Sequence, residues 1–225
     1  MILSDSRILQ EIEKGTILIR PYRPECLGSN SYDVHLGKTL ATYVDAELDA
    51  KKHNTIEYFE IPDEGYVLLP HVFYLGVTEE YTETHAHVPF LEGKSSTGRL
   101  GIDIHATAGK GDVGFCNTWT LEISVSQPVI VYAGMPIGQL IYFKVNGDIE
   151  NYYNRKTNAK YNKRTDLPVE SMMWKNVFWF GLIKTQGKKH IIVNTLLLIS
   201  RKFFTTLSTY TDLFFENKVD NTIYT

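Results

Sequence analysis

Residues 119–125 read Trp-Thr-Leu-Glu-Ile-Ser-Val, an unbroken alternation with Trp119, Leu121, Ile123 and Val125 on one side and Thr120, Glu122 and Ser124 on the other. Successive side chains of a strand point to opposite faces, so the stretch predicts a half-buried strand with its apolar side in a core. Just upstream, Ile102, Ile104 and Ala106 alternate in the same way with Asp103 and His105. Further out, short apolar runs (TILIR from Thr16, then SYDVHLG, TLATYV, YVLLP, VFYLGV, PVIVY and IGQLIYFKV) are separated by Gly, Pro, Asn and Asp. That punctuation predicts an all-β barrel or jelly-roll-like sandwich. The exception is the start of the chain, where Ser4 as a cap, an apolar stripe of Ile8, Leu9 and Ile12, and a stop at Gly15 predict a short helix. Helical periodicity does not return before Asn151.

A chain of 225 residues can bury a core without staples. With 43% hydrophobic residues, 22% charged residues and a net charge of −3, it has neither a disordered composition nor a footprint for nucleic acid polymers. Two cysteines, Cys26 and Cys116, build no disulfide framework, and MILSDSRILQ carries no apolar signal segment. The cytoplasm is the expected address. Tyr152 to Ser171 (YYNRKTNAKYNKRTDLPVES) is polar, basic and aromatic, and reads as an arm that folds over something. Residues 179–225 form an extension with no assigned role, and the apolar patch from His190 to Ser200 is too short to span a bilayer.

Two features carry chemistry. Glu92 to Gly101 (EGKSSTGRLG) gathers hydroxyls, glycines and two cations into one short segment. Backbone amides and the Ser or Thr hydroxyls can donate to phosphate oxygens, while Lys94 and Arg99 neutralise charge. The run is not a Walker loop, and a solvated turn is the competing reading. Glu122 is the second feature, a carboxylate on the wet side of an otherwise apolar strand. It is either a proton shuttle beside a cation or, more commonly for such a pattern, a plain surface glutamate.

Several motifs in register, EGKSSTGRLG, TAGKGDVGF (107–115) and TLEIS (120–124), resemble those of the dCTP deaminases of the dUTPase-like superfamily. The likeness extends to MILSDSRIL, SYDVHLG, YAGMPIGQLIYF and YNRKTNAKY, and covers roughly residues 1–176, so the deaminase-like domain is expected over residues 1–178. The resemblance implies a distorted jelly-roll subunit in a homotrimer, with each active site assembled between subunits. It implies Glu122 as general base and acid at C4 of cytosine, Ser95 placing the attacking water, and Arg99 biasing the carboxylate. Lys94, Ser96, Thr97 and Gly98 would bind phosphates. Asp112 and the backbone at Thr120 and Leu121 would hold the nucleoside, while Tyr153, Lys160 and Arg164 would close on the triphosphate. Arg164 stands where many members carry glutamine, which puts that contact in question. Magnesium is expected to arrive with the triphosphate, and dTTP is a possible feedback inhibitor. Zinc is not expected, because the H-x-E and P-C-x-x-C signature of zinc deaminases is absent.

On this resemblance the first expectation is deamination of dCTP to dUTP and ammonia. Gly109 resembles instead the members that also cleave the triphosphate to dUMP, although Lys110 matches neither group, and that bifunctional activity is the alternative. Plain dUTPase activity and a non-catalytic nucleotide-binding protein are further alternatives on the same fold. A cupin-like metal protein is another, built on His85 and His87 facing one side of a strand with His105 nearby. Truncation after Phe180 is expected to leave activity intact.

Overall fold

In the computed structural model, which describes residues 1–176, the chain opens with helix α1 (Asp5–Glu13). The Ser4 hydroxyl accepts from the Arg7 amide at 3.4 Å, and Gly15 turns the chain away at φ +72°. Ile8 is buried as expected, but Leu9 is 39% exposed and the body-facing position falls to Glu11. Residues three and four apart share a helix face, so 8, 11 and 12 point inward while 9 is rotated away. Arg7 (2.8 Å) and Lys14 (3.1 Å) pair with the Glu11 carboxylate, and the Thr16 hydroxyl donates to it.

The strands that follow are β1 (Ile17–Arg20), β2 (Tyr32–His35), β3 (Thr39–Tyr43), β4 (Ile56–Glu60), β5 (Tyr66–Leu68), β6 (Tyr74–Val77), β7 (Tyr81–Thr84) and β8 (His87–Gly93). One helical turn, α2 (Ser95–Gly98), separates them from β9 (Ile102–Asp103), β10 (Cys116–Asn117), β11 (Thr120–Val125), β12 (Val129–Val131) and β13 (Pro136–Lys144). They pair as β1-β7-β10, β4-β3-β6-β11-β9, β12-β5 and β2-β13-β8, with antiparallel neighbours throughout. Each predicted run falls on a strand. The described sheets stay separate and do not close into a barrel, but the all-β class with one short N-terminal helix holds.

The core gathers Tyr32, Leu40, Leu91, Leu121, Ile123, Leu140 and Tyr142 from five strands. Glycine permits the closest approaches. A Cβ on Gly138 would lie 2.8 Å from the Ile104 side chain and 2.9 Å from the Glu92 carbonyl, and one on Gly76 would lie 2.8 Å from Ile123.

Two expectations are corrected. The alternation from Ile102 to Ala106 is a strand only at Ile102–Asp103. Ile104 is buried, but the strand has already ended at Asp103, and the Ala106 amide turns to the Glu122 carboxylate. His85 and His87 do not share a strand face either, because bends at 85 and 86 separate β7 from β8. His85 lies beside Glu83, His87 is buried, and His105 lies near Glu92, so the cupin-like triplet does not assemble. Among the described residues, no helix is long and apolar enough to cross a membrane. The extension 179–225 and the truncation point Phe180 lie outside the described residues.

Candidate active site

Strand β11 decides the site. Leu121 and Ile123 are fully buried, which turns Thr120 and Glu122 to the opposite, wetter face. That face forms one wall of a cleft of about 720 Å³. The Glu122 carboxylate accepts from the Ala106 amide at 3.0 Å, and the Glu122 amide donates to the Ile104 carbonyl at 2.8 Å. One of its carboxylate oxygens is therefore held from the backbone.

The second wall is the turn before β10. Asp112 lies between two cations, Lys110 at 2.9 Å and Lys156 at 3.0 Å. Lys110 above all, with Lys156 adding to it against the opposing effect of burial, holds the Asp112 carboxyl below its ordinary value of 3.8. Gly109 shapes the same turn: a Cβ there would lie 2.5 Å from both the Leu91 carbonyl and the His105 ring. Phe115 packs on Trp119 and Tyr153, with ring centroids 4.9 and 5.9 Å apart, and gives the cleft an aromatic floor.

The third wall is the predicted arm, which has no ladder of its own and is held from the body. The Tyr153 amide donates to the Val113 carbonyl (2.8 Å), and the Tyr153 hydroxyl accepts from the Tyr161 amide (3.1 Å). Asn117, 3% exposed, donates to the Tyr161 and Lys163 carbonyls (3.3 and 2.9 Å) and accepts from the Thr165 amide (3.1 Å). Thr118 donates to the Thr165 carbonyl (2.7 Å), and the Thr120 hydroxyl accepts from the Val169 amide (3.1 Å). Burial chiefly, with the Glu122 charge a minor contributor, pushes the Tyr161 hydroxyl above its ordinary value.

The expected site residues thus fall into two groups. Asp112, Thr120, Glu122, Tyr153 and Lys160 line the cleft together. The Glu92–Gly101 run does not. Ser95, Ser96, Gly98 and Arg99 are exposed on or just after α2, and Lys94 pairs with Asp33. The Thr97 hydroxyl is turned inward, donating to the Lys94 and Ile137 carbonyls (2.8 and 3.3 Å). Leu121 is buried and does not line the cleft. Arg164 does not line it, and its guanidinium stacks over the Tyr81 ring, 4.5 Å from the centroid.

Sequence reasoning passed over Lys110 and Lys156 as cleft cations and Asn117 as the arm's anchor. The lysines stood in quoted motifs, but only the fold shows that both reach Asp112. Asn117 carries no sequence signal, since its four hydrogen bonds, the Thr118 amide included, are visible only in three dimensions.

The cleft's donor set suits magnesium that arrives on a triphosphate. It offers lysine cations, and the described clusters of three potential metal ligands contain neither Asp112 nor Glu122. Such an ion would neutralise phosphate charge when bound; Lys110, Lys156 and Lys160 line the same cleft.

Comparison with known proteins places the chain in a family. The profile of the dCTP deaminase-like family matches residues 2–145. The dUMP-forming dCTP deaminase of Leptospira biflexa is 47% identical over 159 residues, covering 71% of this chain and 91% of its own. The dUMP-forming dCTP deaminase of Cytophaga hutchinsonii is 48% identical over 156 residues, covering 69% and 90%. In fold, the chain is similar to the 2'-deoxycytidine 5'-triphosphate deaminase of Agrobacterium tumefaciens, with a TM-score of 0.50 and 22% identity; the match covers 63% of this chain and 47% of that one. The chain belongs to the dCTP deaminase-like family.

Proposed function

We propose that this protein converts dCTP to dUMP, ammonia and diphosphate, consuming two waters. The observation that carries the reading is Glu122, its carboxylate fixed by the Ala106 amide in a cleft with Lys110, Lys156 and Lys160. In the first step Glu122 takes a proton from water as its oxygen attacks C4 of cytosine. It then returns a proton to the departing ammonia, leaving uracil. In the second step water attacks the α-phosphorus and diphosphate leaves, with the cleft lysines neutralising the charge that develops.

The second step is where this reading departs from the first expectation, release of dUTP. The relatives from Leptospira biflexa and Cytophaga hutchinsonii are dUMP-forming, and a glycine at 109, where any side chain would strike the Leu91 carbonyl, supports the same branch. Keeping dUTP enclosed between the steps would also withhold a mutagenic nucleotide from solution.

The split between cleft and α2 supports a site shared between copies. In a homotrimer, α2 of one copy would bring Ser95 and Arg99 to the Glu122 of another, with Lys94, Ser96, Thr97 and Gly98 meeting phosphates. Tyr153 and Lys160 would close from the arm. Residues 1–178 are the proposed catalytic unit, in the cytoplasm, and dTTP the proposed competitor for the cleft. The test is a time course with dCTP and magnesium, resolved by chromatography. Appearance of dUMP and diphosphate without a pool of dUTP supports the proposal; accumulating dUTP restores the single-step deaminase, and unchanged dCTP overturns both.

A further inference from the structure

Away from the cleft, strand β7 brings together three side chains of a different chemistry. Its inward residues Thr82 and Thr84 are buried, so Tyr81 and Glu83 lie on the face turned from the core. Glu83 sits directly opposite Cys116 of β10 in the ladder, and His85 follows two residues on, its amide still tied to the Thr16 carbonyl at 2.8 Å. Paired residues on one sheet face have Cβ atoms about 4.5–5.5 Å apart, and i, i+2 residues share that face. One ligand atom from each of Glu83, His85 and Cys116 accordingly falls within 4.8 Å of the other two.

We propose that Glu83, His85 and Cys116 form a binding site for a divalent cation of the zinc class, separate from the nucleotide cleft. Carboxylate, imidazole and thiolate are the donors such an ion takes, at about 2.0–2.3 Å, which sets ligand atoms about 3.3–3.6 Å apart around a tetrahedron. The His85 Nε2 to Glu83 Oε2 distance is 2.8 Å, so the pair needs only to open by about half an ångström to admit the ion. The other Glu83 oxygen, Oε1, already accepts from the Tyr81 hydroxyl at 2.9 Å. That is the outer hydrogen bond by which ligating carboxylates are commonly oriented. All three residues are half-buried, which leaves a fourth position for water. Cys116 binds as thiolate, its proton passing to solvent.

The site also reaches the arm. Arg164 stacks on Tyr81, and Asn117, the arm's anchor, is the residue after Cys116. An ion there would stiffen the strand pair from which the arm is held.

The experiment uses the full chain, stripped of metal and titrated with cobalt(II) in the absence of nucleotide, so its result is independent of the reaction proposed above. One cobalt per chain with a sulfur-to-cobalt charge-transfer absorption, displaced by zinc, is expected. Cys116→Ser should abolish the absorption, and His85→Ala should weaken zinc binding by about a hundredfold or more, since even outer partners of a metal site cost 10–100-fold. Cys26→Ser should change neither. A wild-type chain that takes up no cobalt, or takes it up without the sulfur band, overturns the proposal. So does a band that survives Cys116→Ser. Should that variant fail to fold, alkylation of Cys116 in the native wild type decides: zinc should slow it at least about tenfold, a bound thiolate being no free nucleophile, and an unchanged rate rejects the site.

Discussion

The Glu122 carboxylate and the Ala106 amide meet at 3.0 Å, across a gap where the strand begun at Ile102 has broken off. A backbone donor fixed by the fold positions the carboxylate at no cost in side-chain ordering during the reaction. Glu122→Gln keeps the size and an acceptor oxygen but cannot take a proton at neutral pH. Deamination should fall by about 10²–10⁴-fold, the usual share of a general base, while nucleotide binding, followed by calorimetry, stays within a few-fold. Full activity in the glutamine variant would reject Glu122 as the base.

Arg99 stands outside the cleft that holds Glu122, and this makes the shared-site reading open to a sharp test. Arg99→Ala should lower both binding and turnover. If base and arginine come from different copies, mixing it equally with Glu122→Gln under exchange conditions rebuilds intact sites from one good half of each subunit. Random assembly then gives about a quarter of wild-type activity, a half multiplied by a half, from two nearly inactive parents. A mixture no more active than its components would place both residues in one copy.

The division between what the sequence told and what it withheld follows from the range of the forces involved. Alternation is local, so β11, the wet face carrying Glu122 and most strands, though not β4, β7, β8 or β10, could be read directly. So could the arm, since Tyr152 to Ser171 has too little apolar surface to make a core element. The failures lie where a specific contact or a bend overrides the repeating pattern. The strand expected to run to Ala106 stops at Asp103 and the Ala106 amide meets the Glu122 carboxylate, His85 and His87 are parted by a bend, and Leu9 loses the inward position to Glu11, whose charge is met by Arg7, Lys14 and Thr16. Asn117 and Lys156 act on segments more than forty residues away in the chain, and no window of sequence contains both partners.

Glu11 gives the fold a predictable response to acid. Burial opposes its charge, but the Thr16 hydroxyl, Lys14 and, more weakly, nearby His87 outweigh it and hold the carboxyl below its ordinary value of 4.5. A carboxyl depressed in the folded state stabilises fully above its unfolded value, and that contribution is lost as pH falls through the lower folded one. Glu11→Gln should therefore lower Tm at pH 7 by about 2–4 °C, the shift expected for about 1 kcal/mol in a domain of this size. The gap to wild type should close as the pH drops below 4.5. A gap independent of pH would mean that the charge of Glu11 contributes nothing.

Asn117 makes a different kind of contribution, because its amide serves three backbone groups of the arm from a position buried in the body. Asn117→Ala removes that amide and strands the Tyr161 and Lys163 carbonyls and the Thr165 amide, with about 1–3 kcal/mol lost for each group that finds no water. The arm is exposed at Lys163 and Arg164, so water reaches part of this set and the cost falls mainly on the arm's closed position. The expected result is a KM for dCTP raised about tenfold, which corresponds to about 1.4 kcal/mol, together with faster tryptic cleavage at Lys163 or Arg164. Activity with saturating dCTP should fall much less, since Glu122 keeps its own backbone anchor. A variant with unchanged KM and unchanged cleavage would show that the arm is held without Asn117, by its other contacts to the body.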